Sequence, residues 1–141
     1  MKVKLLVVLL VIFSIISLIG CKPQGDPLDQ ARQALEIHKE LLESAKSESI
    51  ASQIVQFDFR LQKATPFLER DEKDLSKDLI NAQENLQKAH DAWQQAIKKT
   101  EKFPKTPDSE RASLKAEIDA DIQTASRHVQ AAESIINKLN K

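Results

Sequence analysis

Beyond Gly25 this chain has no glycine at all; the two it possesses, Gly20 and Gly25, both precede Asp26. Phosphate-cradling loops, dinucleotide fingerprints, nucleophile elbows and tight hairpin turns need glycine for a positive φ or a close backbone approach, so the body of the chain offers none of them. Tyrosine is missing, and cysteine and tryptophan occur once each. A single cysteine makes no intrachain disulfide, so the chain must fold on apolar burial alone, and about 120 residues suffice for a core. Neither sign of charge dominates: 21 basic residues meet 21 acidic ones. A nucleic-acid surface would need a basic stripe, and a peripheral membrane patch a run of Lys and Arg; the sequence has neither.

Long apolar runs are also scarce, with one exception at the start. Leu5 to Ile19, broken only by Ser14 and Ser17, follows the basic segment Met1-Lys2-Val3-Lys4 and ends in Leu18-Ile19-Gly20-Cys21. A basic start, an apolar core and a small residue before the boundary have the three-part form of a secretory signal. As a membrane-spanning helix the run is too short, because fifteen residues rise only about 22 Å against a hydrocarbon core of about 30 Å.

Leu at minus three, a small residue at minus one and the cysteine itself make Leu18, Ile19, Gly20 and Cys21 resemble the lipobox of bacterial lipoprotein precursors. The resemblance covers the first 21 residues only. It implies cleavage before Cys21 and diacylglycerol on its sulfur. The chain then divides into a signal peptide (1–20), a lipidated cysteine with its tether (21–26) and a folded part (27–141). A thiol consumed as a thioether is no liability in an oxidising compartment. Two or three acyl chains hold a protein to a bilayer, whereas one binds it only marginally. With Lys2 and Lys4 removed, 19 basic residues remain against 21 acidic ones. By the sorting rule of enteric-type diderms, a residue other than aspartate after the cysteine, here Lys22, implies the outer membrane; in a monoderm host the place would be the outer face of the plasma membrane.

From residue 27 onward, a composition rich in Ala, Gln, Glu, Lys and Leu predicts an all-α fold. Asp26-Pro27, Thr65-Pro66 and Thr106-Pro107 each pair a capping oxygen with a proline suited to a first helical position. They predict helices over about Pro27 to Gln62, Pro66 to Lys102 and Pro107 to Asn140. A second option places the first reversal at Glu69 to Asp74, with Pro66 a kink in a longer first helix. Matched lengths and short connections predict an antiparallel up-down-up three-helix bundle. Leu68, Leu75, Leu79, Ala82, Leu86, Ala89, Trp93, Ala96, Thr100 and Phe103 keep alternating three and four spacing, as do Ile118, Ile122, Ala125, Val129, Ala132, Ile136 and Leu139, which implies coiled-coil-like packing. In the first helix the stripe Leu28, Ala31, Leu35, His38, Leu42, Ala45 is followed by Ile50, Ile54, Phe57, Leu61, Ala64, about one residue out of step. That slip reads as a stutter, and Ser44, Ser47, Ser49 and Ser52 make it the weakest stretch of the helix.

Candidate sites are few. Folding near residue 64 sets His38 level with His90 and Asp119, a possible two-histidine, one-carboxylate metal set, while His128 lies about 13 Å away along the bundle. The plainer expectation is no metal and no cofactor, with His90 and Asp119 facing solvent and His38 at the core edge. Trp93 is expected to pack in the core. Val55 and Phe59 stand i to i+4, away from the Ile54, Phe57, Leu61 stripe; they either widen the packing face or form a strip that docks a partner.

The sequence therefore predicts a membrane-anchored, non-catalytic adaptor or accessory subunit bound to another envelope protein, with self-association open. A self-protection lipoprotein that inhibits a lytic enzyme, bacteriocin or conjugation partner is one alternative. An envelope spacer joined to the cell wall is another. It rests on Lys141, since murein lipoproteins are attached through a terminal lysine, although Lys141 follows Asn140 without that family's aromatic and arginine residues. A three-helix bundle would hold this end about 50 Å from the lipid.

Overall fold

The computed structural model describes residues 25–47 and 50–140, so residues 1–20, Cys21 and Lys141 lie outside the described residues. The chain is all-α. Its helices are α1 (Pro27–Ser47), α2 (Ile50–Gln62), α3 (Thr65–Leu68), α4 (Lys77–Lys102) and α5 (Asp108–Lys138), with 3₁₀ turns at Glu72–Asp74 and Phe103–Lys105 and no strand among the described residues.

The expected helix from Pro27 to Gln62 is two helices. α1 ends at Ser47, α2 begins at Ile50, and Gln53 leaves helical geometry at φ −130°, ψ 18°. The chain turns back along itself there: Arg60 Nη1 donates to Ser44 Oγ at 3.2 Å, and farther down Arg70 Nη1 donates to Gln30 Oε1 at 2.8 Å and to the Gly25 carbonyl at 2.9 Å. Four antiparallel rods result where three were expected: α1, then α2 with α3, then α4, then α5. The slipped stripes explain the break. On one straight helix two apolar faces out of step cannot both meet the same partner, but folded back they both reach α4. α1 buries Ala31, Ala34, Leu35, His38 and Leu41, and α2 buries Ile50, Phe57 and Leu61. The serines around the slip favour local backbone bonds over helix, so the break falls where continuing the helix stabilises least.

The proline signals also act differently from expectation. Asp26 Oδ1 accepts from the Leu28 amide at 2.9 Å, as a capping oxygen should. The other two hydroxyls point backward: Thr65 Oγ1 donates to the Gln62 carbonyl at 2.7 Å, and Thr106 Oγ1 to the Lys102 carbonyl at 2.9 Å. They therefore close the preceding helix, whose last carbonyls have no partner of their own. α4 starts not at Pro66 but at Lys77, where Ser76 Oγ accepts from the Leu79 amide at 3.3 Å. The reversal thus occupies 69–76, close to the second boundary option.

This connection is pinned by a residue the periodicity did not single out. Buried Gln83 shares its amide Nε2 among the carbonyls of Phe67 (2.8 Å), Arg70 (2.9 Å) and Leu68 (3.3 Å). Gln83→Leu is expected to leave those acceptors unpaired at a cost of about 1–3 kcal/mol. Urea unfolding reads the loss, and amide exchange should rise first over residues 67–75.

The even number of rods returns the C-terminal end to the start of the bundle: Asn140 Oδ1 accepts from Arg32 Nη2. The separation of about 50 Å expected for a spacer is therefore not present between Asn140 and the first turns of α1.

Candidate functional site

α2 packs inward through Ile50, Phe57 and Leu61, so residues on its opposite side meet solvent. Val55 is 78 % exposed and Phe59 59 %, the two exposed large apolar side chains among the described residues. Lys63 Nζ sits 4.6 Å from the centre of the Phe59 ring, a cation on its π face. Beside the strip lies a groove of about 390 Å³ between α2 and α4, lined by Ile54, Val55 and Asp58 on one side and Ile97, Lys98 and Glu101 on the other. The wider apolar face is thus not used against a neighbouring helix: Val55 and Phe59 form an open strip.

A second cleft, of about 450 Å³, opens at the end of the bundle where α1 gives way to α2. Ala45, Ile50, Phe103, Ile118 and Ile122 line it, with Lys115 and Asp119 among them. Asp119 is exposed there, beside Thr100, which places it about 15 Å along α4 from His90. The three-residue set His38, His90, Asp119 is therefore not assembled. Among the described residues no group of three or more His, Cys, Asp or Glu side chains is placed to share a metal ion.

The two histidines do meet. Their ring centres are 6.1 Å apart at an interplanar angle of 54°, across α1 and α4. These helices run parallel, since Ala45 of α1 reaches the same cleft as Thr100 of α4, so the pairing arises by a different route from a fold near residue 64. His38 is fully buried rather than at the core edge, and His90 is buried too, at 6 % exposure, rather than facing solvent. Four rods are the reason. α4 meets α1 and α2 as well as α5, so a second row, Gln83, His90 and Ile97, is buried beside the expected stripe.

Burial lowers the His38 pKa from 6.5 to about 4; the Ala34 carbonyl, 2.8 Å from Nδ1, opposes this and the neighbouring His90 adds to it. His90 is also lowered by burial, partly offset by the negative charges of Asp91, Asp58 and Glu69. Trp93 lies in the core as expected, fully buried, its ring centre 5.7 Å from that of Phe57. His128 stands apart, its Nδ1 3.0 Å from Asn85 Oδ1.

A scan against protein-family models finds no match, and searches of curated proteins and of solved structures find none either. No helix among the described residues is long and apolar enough to cross a membrane.

Proposed function

We propose that this chain is a bacterial envelope lipoprotein, anchored through acyl chains on Cys21, whose helical bundle serves as a non-catalytic adaptor for another envelope protein. The observation that carries the docking role is the exposure of Val55 and Phe59 beside a groove lined by both apolar and charged side chains. A strip of this kind, edged by charge, suits an amphipathic helix laid into the groove. The anchor rests on Leu18-Ile19-Gly20-Cys21.

Anchor and strip agree in their placement. Lys22, Pro23 and Gln24 separate Cys21 from Gly25, a reach of about 14 Å, so the base of the bundle sits at the bilayer. Gly25 itself takes φ +124°, a conformation glycine adopts freely, and its carbonyl is held by Arg70. Val55 and Phe59 then stand roughly 25–30 Å from the base, within reach of a partner's extramembrane part.

The test is crosslinking in cells, detergent extraction of membranes and mass spectrometry of what accompanies the chain. Val55→Gln with Phe59→Gln is expected to reduce partner recovery at least about tenfold with helical content unchanged, the cost of about 1.4 kcal/mol or more at an apolar contact. Undiminished recovery would remove this face. Finding the chain in the aqueous rather than the membrane fraction would remove the anchor.

A further inference from the structure

Three buried side-chain atoms in one layer of the bundle have no hydrogen-bond partner within the protein: His38 Nε2, His90 Nδ1 and Trp93 Nε1. His90 and Trp93 are one turn apart on α4, and His38 approaches from α1. Buried polar atoms left in this state call for a guest, either a water or an ion. We propose that His38 and His90 form a two-coordinate site for a soft monovalent cation of the copper(I) class.

The coordination number follows from what surrounds the pair. Zinc, calcium and magnesium need four or more donors, and no third His, Cys, Asp or Glu is placed to complete such a set among the described residues. A dication between two neutral rings in an apolar core would be left with uncompensated charge. A monovalent d¹⁰ ion accepts two imidazole nitrogens in line and carries the least charge into the layer. With metal to nitrogen distances of about 2.0 Å, two imidazoles in line place their ring centres about 6 Å apart; the observed separation is 6.1 Å.

Each ring is also held by its other nitrogen, the arrangement that fixes a ligating histidine. The Ala34 carbonyl only accepts, so His38 Nδ1 carries the proton and Nε2 offers its lone pair. His90 Nε2 lies 3.3 Å from Gln94 Nε2. Gln94 is exposed, and turning its amide end for end lets Oε1 accept from Nε2–H, which frees the lone pair of Nδ1. A water would use the same two nitrogens. Any hydroxyl or amide pair could hold a water, however, whereas two imidazoles are ligands.

Trp93, the one tryptophan, supplies the readout. The full chain in detergent is titrated with Ag(I), a redox-stable probe of this class, in chloride-free buffer while Trp93 fluorescence is followed. Saturable quenching complete at one equivalent, at least tenfold weaker in His90→Gln and absent from the His38→Gln/His90→Gln double variant, is the expected result. Cys21 is common to all these chains, so the difference between them isolates the pair. Where His38→Gln impairs folding by circular dichroism, His90→Gln decides alone. Absence of quenching, or quenching unchanged in the variants, would overturn the proposal and leave the layer to a bridging water.

Discussion

Trp93→Ala is expected to destabilise the bundle by about 3–5 kcal/mol, the range for emptying a large aromatic site in a packed core. Trp93 is the largest fully buried side chain, and it joins the two halves of the fold. Its ring meets Phe57 of α2, while the helix that carries it packs along α5 and, through His90, against α1. Truncation therefore opens a cavity where several rods converge, and no single neighbour can collapse into it. Set against a total stability of about 5–15 kcal/mol, such a loss brings the protein near its unfolding threshold. Urea unfolding followed by circular dichroism measures it. Phe57→Ala should cost nearly as much, and a double-mutant cycle between the two should return a coupling of about 0.5–1.5 kcal/mol for the ring contact. A cost below about 1 kcal/mol for Trp93→Ala would mean that α2 does not close over α4 at this layer.

The elements of this fold differ in how openly the sequence declares them. α4 and α5 are legible because their buried residues repeat at alternating three and four spacing, and Leu79, Ala82, Leu86, Ala89, Trp93, Ala96 and Thr100 all lie in the core. The angle of Val55 and Phe59 to the Ile54, Phe57, Leu61 stripe sets the pair apart, but leaves open whether it packs or stands exposed. The hairpin between α1 and α2 is declared less openly. The stripe slips at the right place, yet no proline or glycine stands there to separate a reversal from a stutter. Everything that depends on the number of rods follows from that reversal. An odd number sends the C-terminal end away from the tether, and the four rods bring Asn140 back beside Arg32. The burial of His90 and Gln83 belongs to the same consequence, because a helix facing three neighbours buries a wider arc than a single stripe reveals. Gln83 had a weak local signal, since a glutamine seven residues before His90 and fourteen before Ile97 stands on a second heptad row. Its carbonyl partners at 67–70 come from a turn that no periodicity describes.

Acidification from pH 7 to pH 4 is expected to remove about 3 kcal/mol of stability through His38 alone, at about 1.36 kcal/mol per pH unit between 6.5 and about 4. The sign follows from which state binds the proton first. The folded value lies below the unfolded one, so as pH falls through 6.5 the unfolded chain takes up a proton that the folded chain refuses. Stability is therefore fully present above about pH 6.5 and is lost progressively until about pH 4. Desolvation is the main cause: His38 is enclosed by the α1–α4 seam, and a charged ring there would also face His90 from α4. His90 is lowered by burial in the same direction despite the opposing charges of Asp91, Asp58 and Glu69, and His128 is lowered by desolvation with help from Lys88 and Arg127. All three histidines thus make the bundle weaker in acid. His38→Leu separates the contribution of the seam from the rest. It removes both the proton site and the unpartnered Nε2, so unfolding free energies compared at pH 7.5 and pH 4.5 should fall less in the variant than in the parent, and at pH 4.5 the variant should be the more stable of the two. An equal fall in both chains would mean that His38 takes up its proton in the folded state as readily as in the unfolded one, and that the seam admits solvent.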